Sequence, residues 1–388
     1  MHKKQEYLNE ISLFPDSPEK LEVLNWLQSA DNFHKETNPE KHLGVVVYVT
    51  NPENDKVFLL NHKKAKTYLM PGGHVDKGNG LVQTAVEELS EELELDILGY
   101  RLQPIHIAQV ETQGTNSGHT DVTLCYKIEV ADPESVGGYV QQKEVDEACW
   151  FNINKASKLP DFTNLPAVNE KVKDQLAQEI QKLSGLPIET VVFDYGGVFA
   201  DHYCSPYFEN FANELGVNIE RAGELVSEKS DHGQKYRLNQ ISREEFWQIV
   251  ITGGNNPSAN IDNLEAQWEQ SYQVDPRMLS VAHKLKKAGK NIALLMNTDQ
   301  RRLEYIKANP IITKYVDSIF TSCEIGLMKP DKSLFSEVLR SLRVNPENVI
   351  YLDDRSSHTQ SARELGINSI DYEPIGNITS QILSYKKM

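Results

Sequence analysis

Hydrophobic positions fall into two sets of elements, divided by the short breaker SGLP at residues 184–187. In the first set, GVVVYV from Gly44 is a β-branched run of strand length, and KVFLL repeats it after the turn-forming NPEND. IHIAQVET and VTLCYKIEV read as further strands, and VNEKVKDQLAQEIQKL as a closing amphipathic helix. Between them Leu81, Ala85, Leu89 and Leu93 form an i, i+4 stripe, the apolar face of a helix. Residues 1 to about 42 are polar and helical in flavour, with Leu21, Val23, Leu24 and Leu27 as a stripe after Pro18. That stripe predicts packing on the following domain or a dimer contact. In the second set, IETVVFD, NIALLMNTD and NVIYLDD are buried-strand runs ending in polar residues. Helical stretches such as SPYFENFANEL, SREEFWQIV and LEAQWEQSY lie between the first two.

The polar face of the Leu81–Leu93 stretch carries Glu88, Glu91 and Glu92, at i, i+3 and i+4, so three carboxylates converge within one turn. Like charges at that spacing cost a few tenths of a kcal/mol per pair unless a cation lies between them, and Mg²⁺ takes such oxygen ligands. Gly72 and Gly73 lead into the run. Gly73, five residues, Asn79, seven residues and Glu87-Glu88-Leu89-Ser90-Glu91-Glu92-Leu93-Glu94-Leu95 resemble the Nudix box. Glu88, Glu91 and Glu92 match its metal-binding carboxylates, while Asn79, Glu87 and Glu94 replace its first Glu, its Arg and its second Gly. The resemblance implies a Nudix α/β/α sandwich with a mixed sheet over residues 43–184, with Gly72 and Gly73 near the substrate phosphates and Glu91 in the catalytic set. Lys64, among the basic residues before the loop, is a candidate to neutralise a polyphosphate, set against a solvated turn. It also implies Glu144, in the loop before Trp150, as general base or extra metal ligand. His119 and Asp121 are candidate contacts to base or sugar, set against simple exposure beside a strand.

In the second set Asp194 ends an apolar strand and precedes two glycines, where open α/β sheets place their sites. With Asn297-Thr298, Lys329 in GLMKPDKSLF and Asp353-Asp354, it resembles the four motifs of the haloacid dehalogenase-like (HAD) superfamily, in order. The likeness covers residues 189–388 and implies a Rossmann-like parallel sheet with a helical cap at about 203–277. It implies Asp194 as nucleophile and metal ligand, Asn297 and Thr298 as phosphate contacts, Lys329 as charge-offsetting cation, and Asp353 and Asp354 as metal ligands. Three positions depart: Gly196 where a general-acid Asp is usual, Met296 where a hydroxyl is usual, and His358 where a further acidic ligand is common.

At 388 residues, two domains are expected. A net charge of −16 disfavours nucleic acid as partner, while leaving nucleotides open through a metal and local lysines. Four scattered cysteines suit free thiols, no apolar run is long enough for a bilayer, and MHKKQEYLNE lacks a signal-peptide core, so cytoplasm is the expected compartment. The reading is a bifunctional hydrolase of nucleotide metabolism using Mg²⁺, with Mn²⁺ as an alternative, acting on a nucleotide or other phosphorylated small molecule. Pairing as a homodimer stays open. The alternatives are an active first half with a regulatory second half, and a nucleotide sensor without catalysis.

Overall fold

The computed structural model divides the chain into two compact units, Met1–Ala177 and Gln178–Met388. It describes residues 2–63, 67–93, 102–111, 118–130, 145–156, 165–204, 206–373 and 378–384. The first unit contains α1 (His2–Ser12), α2 (Pro18–Ser29), β1 (Lys41–Thr50), β2 (Lys56–His62), β3 (Thr67–Leu69) and β4 (Gly72–His74). There follow α3 (Leu81–Leu93), β5 (Gln103–Glu111), β6 (Thr120–Glu129), β7 (Val145–Asn152), α4 (Ile153–Ala156) and α5 (Leu165–Ser184), which runs past the boundary. The sheet order is β3-β2-β1-β6-β5, with β4 also on β1 and β7 on β2. Strands β1 and β6 run parallel and the other pairs antiparallel, so the sheet is mixed.

Alternation along β1 explains the sandwich. Leu43, Val45, Val47 and Val49 face a core shared with Leu81, Ala85 and Leu89 of α3. Tyr48 faces the opposite layer, with Val57, Leu59, Cys125 and Val172. Both N-terminal helices belong to the first core, through Tyr7, Ile11, Val23 and Leu27. Leu21 departs from the expected stripe and is 62% exposed, because it lies two residues, about 200°, round the helix from Val23.

Helix α1 also completes the start of α3. Gly80, just before that helix, has no side chain with which to cap it, and the Glu10 carboxylate accepts the Leu81 N–H at 2.9 Å. A negative charge there also favours the helix dipole. The Tyr7 hydroxyl donates to the Asn79 carbonyl at 2.7 Å, holding the preceding loop. Replacing Glu10 by Ala is expected to destabilise the protein by about 0.5–2 kcal/mol, read as a lower urea midpoint at unchanged m-value.

The second unit has β8 (Thr190–Phe193), β9 (Ala200–Asp201), α6 (Tyr207–Leu215), α7 (Ile219–Leu225), α8 (Asp231–Arg237), α9 (Arg243–Gly253), α10 (Ile261–Gln270) and β10 (Gln273–Val274). It continues with α11 (Pro276–Lys287), β11 (Asn291–Met296), α12 (Gln300–Ala308), α13 (Pro310–Thr313), β12 (Ser318–Thr321) and α14 (Ser322–Ile325). Last come α15 (Lys332–Leu342), β13 (Val349–Asp353), α16 (Ser356–Arg363), β14 (Asn368–Asp371) and α17 (Ile378–Leu383). Five strands pair in parallel in the order β12-β11-β8-β13-β14. The three central strands are buried along almost their whole length, as parallel sheets between helical layers require. Helices α6 to α10 form a cap around Phe208, Phe211, Phe246, Trp247 and Trp268. Its two ends meet in an antiparallel ribbon, where β9 pairs with β10.

Candidate active sites

In the first unit, Glu88 and Glu92 are half-buried on α3 and Glu91 is exposed. Strand β4 brings the glycine loop against them. The Gly72 N–H donates to Glu92 Oε2 at 3.0 Å. A Cβ on Gly73 would stand 1.8 Å from Glu88 Oε1, so only glycine leaves that carboxylate its place. Gly72 has a φ of +153° and a Cβ there would meet the Val45 carbonyl at 2.2 Å. Two of the departures from the Nudix pattern answer each other: Asn79 Nδ2 donates to Glu87 Oε2 at 2.7 Å, so the loop is braced by an amide–carboxylate bond. The residues suit a hard divalent cation, since the donors are carboxylate oxygens and the cradle is one a Cβ would fill. Lys64 and Glu144 lie outside the described residues.

In the second unit, Asp194 follows β8, Asn297 and Thr298 follow β11, and Asp353 ends β13, so all stand at the C-terminal edge of the parallel sheet. Lys329 is buried at their centre. Its Nζ donates to Asp194 Oδ1 at 2.7 Å, to Asp353 Oδ2 at 2.9 Å and to the Leu295 carbonyl at 3.1 Å, which uses all three ammonium protons. Asn297 is committed to placing this lysine: its Nδ2 donates to the Lys329 carbonyl at 3.0 Å, and its Oδ1 accepts the Lys329 N–H at 2.8 Å. These two bonds position Lys329 and use one of the two Nδ2 protons, and Asn297 also lines the cavity. Thr298 lines the cavity, its backbone fixed by the Ser322 hydroxyl, and Met296 lines it too.

The structure separates the two adjacent aspartates. Asp353 is fully buried; its Oδ2 accepts from Lys329, the Tyr351 hydroxyl and His358 Nδ1 at 2.9 Å, and its Oδ1 accepts the Arg355 N–H at 2.9 Å. Asp354 is exposed, and a Cβ on Gly197 would meet its Oδ2 at 2.7 Å. Asp354 has open space for a cation, while Asp353, with a ligand atom within 4.8 Å of those of Asp194 and His358, is the more heavily hydrogen-bonded of the adjacent pair. Electrostatics divide the carboxyls the same way. Burial pushes Asp194 up to about 7, partly offset by Lys329 and reinforced by the charge of Asp353. Burial also disfavours ionised Asp353, but Lys329, His358 and Tyr351 outweigh it and hold that carboxyl well below the usual range. Lys329 is raised, because the two aspartates outweigh its own burial.

Sequence reasoning missed what the cap, its ribbon and helix α12 contribute. Tyr272, Arg237 and Arg302 line the same cavity as Asp194. Arg302 is buried against Glu269, with hydrogen bonds of 3.0–3.2 Å, and lies 3.4 Å from the Tyr272 ring centroid. Tyr272 in turn accounts for Gly196, since a Cβ there would stand 3.1 Å from its ring. Arg237 is buried with its guanidinium on the backbone carbonyls of Gly233 and Val226. Arg355 pairs with Glu228 of the cap, tying cap to sheet. None of these carries a spacing signal, because they are brought together from helices far apart in sequence.

Comparison with known proteins places these two sites in families. A NUDIX domain model matches residues 40–173, and a haloacid dehalogenase-like hydrolase model matches residues 188–366. The chain joins one domain of each family, both hydrolase families. It is similar to bifunctional epoxide hydrolase 2 of Rattus norvegicus, 28% identical over 115 residues, covering 29% of this chain and 21% of that protein. It is also similar to D-ribitol-5-phosphate phosphatase of Bacteroides thetaiotaomicron, 24% identical over 196 residues, covering 48% of this chain and 92% of that protein. This chain spans about a fifth of the length of the mammalian epoxide hydrolases it matches. Among solved structures, a HAD family enzyme from Bacteroides thetaiotaomicron, in complex with magnesium and inorganic phosphate, aligns with a TM-score of 0.43 and 18% identity, covering 50% of this chain and 98% of its own. Among the described residues, no helix is long and apolar enough to cross a membrane.

The raised Asp194 carboxyl has a measurable sign. Its folded pKa exceeds the unfolded one, so the folded state holds the proton more tightly, and its contribution to stability is full below about pH 4. That contribution is lost as pH rises through about 7. Asp194→Asn should flatten the fall in melting temperature over that window in metal-free protein, and an unchanged slope would refute it. Lys329→Met, which leaves two buried carboxylates facing each other, is expected to cost about 3–5 kcal/mol by denaturant unfolding.

Proposed function

We propose that the protein is a bifunctional Mg²⁺-dependent hydrolase of phosphorylated small molecules. The NUDIX domain cleaves a nucleoside diphosphate or triphosphate derivative at its pyrophosphate linkage, and the second domain removes phosphate from a monophosphate. The carrying observation is one device built twice: in each unit a carboxylate occupies space that a glycine side chain would fill, beside a loop ready to take phosphate oxygens. Bound Mg²⁺, with Mn²⁺ as the alternative, would be held by Glu88, Glu91 and Glu92 in one unit and by Asp194 and Asp354 in the other. It supplies positive charge that neutralises phosphate oxygens and lowers the pKa of water.

In the second domain the two hydrogen bonds to Asp194 both reach Oδ1, from Lys329 and from the Tyr195 N–H, which leaves Oδ2 for attack on phosphorus. A new O–P bond forms an aspartyl-phosphate as the bond to the leaving oxygen breaks, and water then cleaves the acyl phosphate. Lys329 offsets charge on both partners. With Gly196 in place of an acidic side chain, the leaving oxygen takes its proton from water, which suits leaving groups of low basicity. In the first domain Glu91, the exposed member of the triad, would take the proton of the water that attacks the pyrophosphate.

A second reading keeps catalysis in the NUDIX domain and makes the other unit a binding site for a phosphorylated regulator. Met296 beside the cavity, at the position where a hydroxyl is usual, favours it. One assay separates the readings: the full chain with Mg²⁺ and a panel of nucleotides and sugar phosphates. Bifunctionality requires that Glu92→Gln lower pyrophosphate cleavage by at least about tenfold and spare phosphate release. Asp194→Asn should do the reverse and abolish phosphate release. Phosphate release untouched by Asp194→Asn would defeat the assignment of the second domain.

A further inference from the structure

A second cluster of metal-ligating side chains lies in the first unit, away from the glutamates of α3. His42 on β1 and Asp121 on β6 are register partners across the parallel pair, and His74 ends β4 on the other side of β1. His119 immediately precedes β6. The Nε2 atoms of His42, His74 and His119 lie 2.9, 3.5 and 3.5 Å from Asp121 Oδ1. One donor atom from each of the four lies within 4.8 Å of all the others. The imidazoles crowd as rings too, with His42 4.8 Å from His74 and 4.9 Å from His119 between centroids.

Two atoms in this cluster have no hydrogen-bond partner despite being buried, His42 Nε2 and Asp121 Oδ1. His42 is completely buried, and its Nδ1 lies 3.2 Å from the Asn38 carbonyl, an acceptor only, so Nδ1 carries the proton. In the neutral ring Nε2 then presents a lone pair to a carboxylate oxygen 2.9 Å away, two acceptors facing each other. A ligating histidine held by a backbone carbonyl through its other nitrogen is the usual arrangement around a metal. Tetrahedral bonds of about 2.0–2.1 Å place neighbouring ligand atoms about 3.3 Å apart, and the three separations found bracket that value.

We propose that His42, His74, His119 and Asp121 bind one first-row transition-metal ion of the zinc class, at a site separate from the glutamate cradle. Three imidazole nitrogens and one carboxylate oxygen suit zinc far better than magnesium. Four protein ligands make the site closed, hence structural, and its place is informative. His74 directly follows Gly73, so an ion held there pins β4, and with it the backbone on which the glutamates rest.

The full chain, stripped of metal and kept in excess Mg²⁺, is titrated with Zn²⁺ against a chromophoric chelator, and with Co²⁺ by its visible spectrum. One equivalent should bind to wild type and to Glu92→Gln, with the intense d–d bands of a tetrahedral site for Co²⁺. Affinity should fall by at least about tenfold in His74→Ala and His119→Ala. Both are partly exposed positions, and circular dichroism checks that each variant folds. Zn²⁺ should raise the melting temperature of wild type and leave that of His119→Ala unchanged. Absence of stoichiometric binding to wild type, equal affinity in both histidine variants, or loss of binding in Glu92→Gln would each overturn the proposal. The readout needs no substrate, so it stands or falls independently of the hydrolase reading.

Discussion

Carboxylates gathered in one place repel each other, and the protein is organised around answers to that repulsion. The fullest answer is Lys329, whose ammonium group is divided between Asp194, Asp353 and a backbone carbonyl with no proton left over. An ion pair this deep gains little net stability, because desolvation of both partners offsets most of the attraction. What it provides is order. With Lys329 in place, the carboxyl of Asp353 is held well below the usual range, while burial pushes that of Asp194, its neighbour across the sheet, upward. A lysine positioned through its own backbone by Asn297 tolerates little displacement, so the end of β11 is shaped around it.

The first unit meets the same constraint with backbone instead of a cation. Gly72 donates its N–H to Glu92, and Gly73 withdraws its side chain so that Glu88 can approach. The loss of the usual bracing arginine is absorbed by a change at both ends of the contact. Glu87 is negative where positive charge was expected, and Asn79, neutral where negative charge was expected, donates to it.

Much of this was legible before any coordinates. The β-branched run GVVVYV, helical spacing from Leu81 to Leu93, and apolar runs ending in Asp194, Asn297 and Asp353 are local signals, and local signals give the elements and the sheet edges. The roles within each cluster were less legible, because they depend on which oxygen is already occupied. Asp353 and Asp354 are adjacent and chemically identical, yet one accepts four donors and the other stands over a glycine. Asn297 read as a phosphate contact from its position, and its two bonds to the Lys329 backbone, invisible in the sequence, add a positioning role. The residues facing the site from the cap and from α12 were silent for a different reason: Arg237, Tyr272 and Arg302 meet through tertiary packing, and no periodicity records that.

The ribbon of β9 and β10 carries one more consequence. Chain leaving the sheet after Asp194 and chain returning toward α11 run side by side, hydrogen-bonded at Asp201 and Gln273. The helices between them are therefore a detour whose endpoints already touch, and the sheet beneath owes none of its strand order to what the detour contains. In such an architecture the roof over a reacting centre can be lengthened, shortened or exchanged during descent while the chemistry below stays where it is.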